Sequence, residues 1–123
     1  MSICKYLKGL GAGVLGAALL ALPINLSAKE IKIGVIYDYS GPLAAGGSSL
    51  QALGAKIMID YFNSIGGVEG YKINAMYADA QSKPEIAINE AVRLIEQENV
   101  DMLMGFYSSA QCVPVSAKVD AMK

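Results

Sequence analysis

The chain has 123 residues, ten basic and eleven acidic side chains, no histidine and two cysteines. That length allows about one small domain. Without histidine or a cysteine cluster, a zinc site and a His-assisted nucleophile are excluded, and a net charge of −1 with no basic cluster argues against nucleic acid or an anionic membrane as partner.

The first 28 residues read as a secretory signal peptide. Lys5 and Lys8 make a positive start, Gly9 to Leu22 is an uncharged apolar run, and Leu26-Ser27-Ala28 supplies small residues, which places cleavage after Ala28. The rival reading is a retained anchor, since the uncharged stretch reaches the roughly 20 residues that cross a bilayer. Its glycines, with Pro23 and Asn25, weaken that reading. Cys4 lies too early for a lipoprotein and leaves with the signal. Removing Lys5 and Lys8 leaves eight basic against eleven acidic residues, so the stretch from Lys29 carries −3. Cys112 is then alone and is expected to pack as a small buried apolar side chain, the alternative being a pair with a cysteine outside this stretch.

From Lys29 the pattern alternates strand and helix. Glu30 to Tyr37 turns almost wholly apolar and β-branched, as in a strand buried on both faces. Asp38 to Ser49, rich in Gly, Ser and Pro, is expected to be a loop, with Ser48 and Ser49 as candidate caps. Leu53, Ile57, Tyr61 and Ile65 then recur at helical spacing up to Gly66-Gly67, which predicts an amphipathic helix packed through that stripe. Tyr71 to Asp79 alternates as a strand exposed on one side. Ser82-Lys83-Pro84-Glu85 has capping-box spacing and opens a helix to about Glu98, with Ile88, Ala91, Val92 and Ile95 as its inner stripe. Val100 to Gly105 is a third strand and Ala110 to Met122 a third helix.

This order predicts an α/β fold, an open parallel sheet with helices on both faces. Three strands leave both sheet edges open, and no turn chemistry follows Lys123, so the lobe is expected to be truncated. If the strand order is 2-1-3, a ligand crevice opens between the exits of the first and third strands. Tyr39 and Ser40 lie on one exit loop, and Tyr107, Ser108, Ser109 and Ala110 on the other. The second loop runs into a helix, whose free N–H groups and dipole favour a carboxylate. Simple N-capping is the alternative for the serines, and packing at the sheet end for the tyrosines. Asp38 and Asp79, each at a strand end, are expected to be solvated or to cap. Gly41 to Gly47 matches neither phosphate-loop pattern and is expected to be a flexible turn.

Taken together, Ile31-Lys32-Ile33-Gly34-Val35 with Ser40-Gly41-Pro42-Leu43, then Asn63-Ser64-Ile65-Gly66-Gly67-Val68-Glu69-Gly70, then Met104-Gly105 through Ser108-Ser109-Ala110, resemble successive segments of the type I periplasmic solute-binding proteins. This group contains the leucine/isoleucine/valine-binding proteins of ABC transporters. The resemblance spans Glu30 to Lys123. It implies that residues 29–123 are the N-terminal part of a first ligand-binding lobe, with a second lobe closing over the ligand. By position it implies that Ser109 is the carboxylate-binding serine, flanked by Ser108 and Ala110. Two departures stand out. Gly46 occupies a position where some amino-acid binders carry tyrosine, and Gln81 and Ser108 stand near positions that form a disulfide in some members.

The expected function is extracytoplasmic capture of a small amino acid, amide or aromatic carboxylate for an ABC transporter permease, without catalysis, metal or cofactor. A sensory ectodomain of a receptor is the alternative. An α/β hydrolase finds no Gly-x-Ser-x-Gly elbow, histidine or phosphate loop to support it.

Overall fold

The computed structural model describes residues 29–122; the signal expected at residues 1–28 lies outside the described residues. β1 (Lys29–Tyr37) is the central strand of a parallel sheet ordered β2-β1-β3, with β2 at Tyr71–Asp79 and β3 at Met102–Gly105. Its register runs from Lys29 opposite Tyr71 to Tyr37 opposite Asp79, and from Ile33 opposite Met102 to Ile36 opposite Gly105. β1 takes the centre because both of its faces are apolar, and the two faces nucleate two cores.

Val35 and Tyr37 pack on one face against Ala52, Ala55 and Ile59 of α1 (Ser49–Ser64). On the other face Ile36 and Ala78 meet Ala87, Ala91 and Leu94 of α2 (Pro84–Glu96) and Val115 of α3 (Ser109–Asp120). Helices therefore cover both faces, as expected. The outer edge of β2 is partly closed by Asn63, whose side-chain amide both donates to and accepts from the Ile73 backbone at 2.8 Å. That occupies ladder groups that an edge strand otherwise offers to other chains.

Several local expectations change. The stripe Leu53, Ile57, Tyr61 and Ile65 faces solvent, and the smaller set Ala52, Ala55 and Ile59 faces the sheet. The helix carries two apolar stripes of helical period, and the alanine side lets its backbone lie close against the bulky Val35 and Tyr37. In α2 the buried positions are Ala87, Ala91 and Leu94 rather than the full set Ile88, Ala91, Val92 and Ile95. Leu94 reaches the sheet over Gly34, where a Cβ would stand 2.9 Å from Leu94 Cδ1. Cys112 is exposed, because α3 buries Gln111 and Val115, and the next residue around the helix turns away from that face.

The expected caps also serve elsewhere. Ser48 closes a single π-helical turn, Ala44–Ser48, inside what reads from sequence as loop, and makes no side-chain cap for α1. Ser82 does not cap α2, which begins at Pro84 after an uncapped Lys83. Both serines are drawn instead into a polar network at the strand exits, where buried groups need partners more than helix ends open to water do.

Candidate functional site

The exits of β1 and β3, where the ligand is expected, meet at Gly105. Its φ of 139° is open to glycine but not to L side chains, and an added Cβ would stand 1.9 Å from the Ile36 carbonyl oxygen. The following Phe106 is also left-handed, and its N–H donates to that same oxygen at 3.1 Å. This double bend lifts residues 107–110 out of the sheet and over the β1 exit.

Tyr107 reaches from the β3 exit to the loop after β1, donating from its hydroxyl to the Gly46 carbonyl at 2.6 Å. Its ring lies on Gly47, where a Cβ would come within 3.2 Å of it. Ser108 is the N-cap of α3, its Oγ accepting from the Ala110 N–H at 3.2 Å. Ser109, the first helical residue, is exposed, and its hydroxyl and N–H are engaged by no described residue. Of the three small residues at this helix start, Ser108 and Ala110 thus satisfy one another, and Ser109 keeps donors to offer. The helix dipole adds positive potential at the same point.

Tyr39 and Ser40 are brought elsewhere. The Ser40 hydroxyl donates to Asp79 Oδ2 at 2.6 Å, and the Tyr39 and Ser40 N–H groups donate to Oδ1. These bonds tie the first loop to the β2 exit, on the far side of β1 from β3. There Tyr39 joins Tyr77, Ala52 and Leu53 in lining a mostly apolar groove of about 580 Å³. Burial raises the phenol of Tyr39 above its ordinary value, as do Tyr77, Tyr37 and Asp79 nearby, so it remains a neutral donor at neutral pH.

Neither acid is free in solvent. Partial burial alone would raise the Asp79 carboxyl, but bonds from the Ser40 hydroxyl and the amides of Gln81, Tyr39 and Ser40 outweigh it and lower the value below 3.8. A carboxylate whose folded value is depressed contributes stability that is complete above the unfolded value and lost as pH falls through the folded one. We therefore expect the stability of Asp79→Asn, followed by urea unfolding, to fall less steeply than that of the parent between about pH 5 and pH 2.

Asp38 is fully buried, and sequence reasoning missed its role. Its Oδ1 accepts from the Ser82 N–H and from Gln111 Nε2, both at 2.7 Å, while its own N–H donates to Ser48 Oγ at 2.8 Å. One carboxylate thus joins the exit of β1, the loop after β2 and the first turn of α3, which sets where Ser109 stands. The one sequence signal was an acid directly continuing an apolar strand. Nothing marked Gln111 as its partner 73 residues away.

Residues 30–123 match the family of periplasmic binding proteins. Leu/Ile/Val-binding protein homolog 7 of Brucella suis is 44% identical over 100 residues, 81% of this chain and 24% of that protein. Homolog 7 of Brucella abortus is 39% identical over 112 residues, 91% of this chain and 26% of that protein. The branched-chain amino acid transporter substrate-binding protein LivJ of Streptococcus pneumoniae, solved with isoleucine, superposes with a TM-score of 0.71 at 29% identity, over 76% of this chain and 26% of that one. The leucine-binding protein LivK of Thermotoga maritima superposes with a TM-score of 0.64 at 24% identity, over 74% of this chain and 25% of that one, a likeness of fold alone. The chain spans about a quarter of the length of these relatives. With the parallel 2-1-3 sheet, the helices on both faces and a family match that runs from the second residue of β1 to the end of the sequence, the chain belongs to the periplasmic binding protein family.

Proposed function

We propose that this chain supplies the first lobe of an extracytoplasmic solute-binding component of an ABC transporter, exported by residues 1–28, which captures a small amino acid or a related amide or carboxylate and presents it to a membrane permease. The observation that carries this reading is the start of α3, where Ser109 keeps an exposed hydroxyl and N–H beside a capped first turn. A ligand carboxylate accepts from both groups in the field of the helix N-terminus, and charge-assisted bonds of this kind are the stronger sort. The Tyr107 ring, fixed over Gly46 and Gly47, gives the rest of the ligand an apolar wall. Closure by a second lobe then completes the site, since a ligand that touches both lobes stabilises the closed form.

The relatives' names support an amino acid as the first ligand to try. The test is calorimetry on a chimera that continues this lobe into the remaining three quarters of the Brucella suis homolog, titrated with leucine, isoleucine, valine, small amides and aromatic acids. One class is expected to bind, and Ser109→Ala to weaken it by about 1–3 kcal/mol, as for a hydrogen bond to a charged group. Unchanged affinity removes Ser109 from the site, and a panel without any binder removes the reading.

A further inference from the structure

The bond expected to be cut in processing, Ala28–Lys29, stands directly against the sheet. The described residues begin at Lys29, and Lys29 is already in the β1–β2 ladder, opposite Tyr71, with Glu30 opposite Lys72 and Ile31 opposite Ile73. Chain ends commonly carry a few loose residues unless a terminal strand is tied into a sheet. Here the tie takes hold at the residue that follows the bond, with no spacer between them.

This head of β1 is held on two sides. Toward β2, Lys29 Nζ stands 5.3 Å from the centre of the Tyr71 ring, and Asn74 Nδ2 donates to Glu30 Oε2 at 3.2 Å. β2 is itself backed there by the bonds of Asn63 to Ile73, and by Gly67, where a Cβ would stand 2.0 Å from the Tyr71 carbonyl oxygen. On the β3 side, where the ladder with β1 begins only at Ile33, Asp101 takes the place of a paired strand. Its carboxylate accepts from the Lys32 N–H and its own N–H donates to the Lys32 carbonyl, both at 2.8 Å. Lys32 Nζ adds a bond to the Glu98 carbonyl at 3.1 Å. Every group in this grip belongs to a residue between Lys29 and Asp101.

A peptidase draws the residues on both sides of the bond it cuts into its cleft as an extended strand. Lys29, Glu30 and Ile31 cannot enter such a cleft while β2 lies along one edge of them and Asp101 pins the next residue on the other. We propose that the Ala28–Lys29 bond is cut only while the head of β1 is out of the sheet, so that signal removal precedes folding and a chain that folds first keeps its leader. The step is a hydrolysis by a membrane signal peptidase. Water adds across the amide, Ala28 leaves with a carboxylate, and Lys29 keeps its nitrogen as an ammonium. The inference rests on the reading of residues 1–28 as a cleaved signal and adds an order of events to it.

The test presents the full chain to purified signal peptidase in detergent micelles, with mass spectrometry to read the new amino terminus. Ile36→Asp puts a carboxylate into the fully buried centre of β1 and supplies an unfolded chain in the same buffer. A second variant inserts Lys-Glu-Gly-Ser-Gly-Ser between Ala28 and Lys29, which keeps the residues around the bond and moves the bond away from the sheet. Circular dichroism follows the state of each. Ile36→Asp is expected to be cut at Ala28–Lys29, and the parent at least about tenfold more slowly, since a protease acts on the fraction of chains open at its site. The spacer variant is expected to be cut as fast as Ile36→Asp. A parent cut as fast as Ile36→Asp overturns the proposal and leaves the signal reading standing, and so does a spacer variant as slow as the parent. No cut at this bond in any of the three removes the signal reading, and the proposal with it.

Discussion

Replacing Asp38 by alanine is expected to cost about 2–4 kcal/mol of folding stability, because it strands the half-buried Ser82 N–H and the buried Gln111 amide together. Urea unfolding followed by circular dichroism measures it. The contrast with Asp38→Asn makes the result specific. Among the described residues, the buried Asp38 Oδ2 and Gln111 Oε1 accept from no donor. Asparagine keeps an acceptor for Ser82 and Gln111 in a side chain of the same shape. Asp38→Asn is accordingly expected to stay within about 1 kcal/mol of the parent. Equal losses in the two variants would show that the side chain's hydrogen bonding is not what holds the three segments together.

The second large effect is expected at Gly105. An alanine there meets the Ile36 carbonyl oxygen at 1.9 Å with φ at 139°, and relief requires the β3 exit to move. We expect Gly105→Ala to lose about 2–4 kcal/mol, the range for strain at a position that only glycine adopts. Gly54→Ala is the control, since it lies in α1 with open space around it and gains helix propensity. It should stabilise by about 0.5–1 kcal/mol. Opposite signs in the same unfolding assay separate backbone strain from the general effect of replacing glycine. The Gly105 variant should also displace Ser109, because residues 107–110 leave the sheet through that bend.

The architecture was readable because it rests on composition over whole segments. The apolar run of β1 fixed a strand buried on both faces, and β2 ran from Tyr71 to Asp79 as its alternation indicated. The 2-1-3 strand order on which the expected crevice depended is observed, while Ser109 was singled out from Ser108 by the family resemblance. Less readable was which way each helix turned. α1 has apolar residues on two sides, and the sheet took the alanine side because shape, not hydrophobicity alone, decides how closely two surfaces pack. Polar residues were harder still. Ser48 and Ser82 look like caps in isolation, yet Asp38, arriving from another strand, and its partner Gln111 gave them work that local spacing does not encode.

What the sequence determined by itself was therefore the alternation of strands and helices and the family, both properties of short contiguous stretches. What only the tertiary structure decided was the partition of its loops. Tyr39 and Ser40 went with Asp79 to the β2 side, Tyr107 reached from the β3 exit to the loop after β1, and the larger apolar stripe of α1 was left facing outward. The physical reason is the same in each case. Hydrogen bonds and close packing join residues about 40 to 70 positions apart, and such pairs become neighbours only once the sheet order is set.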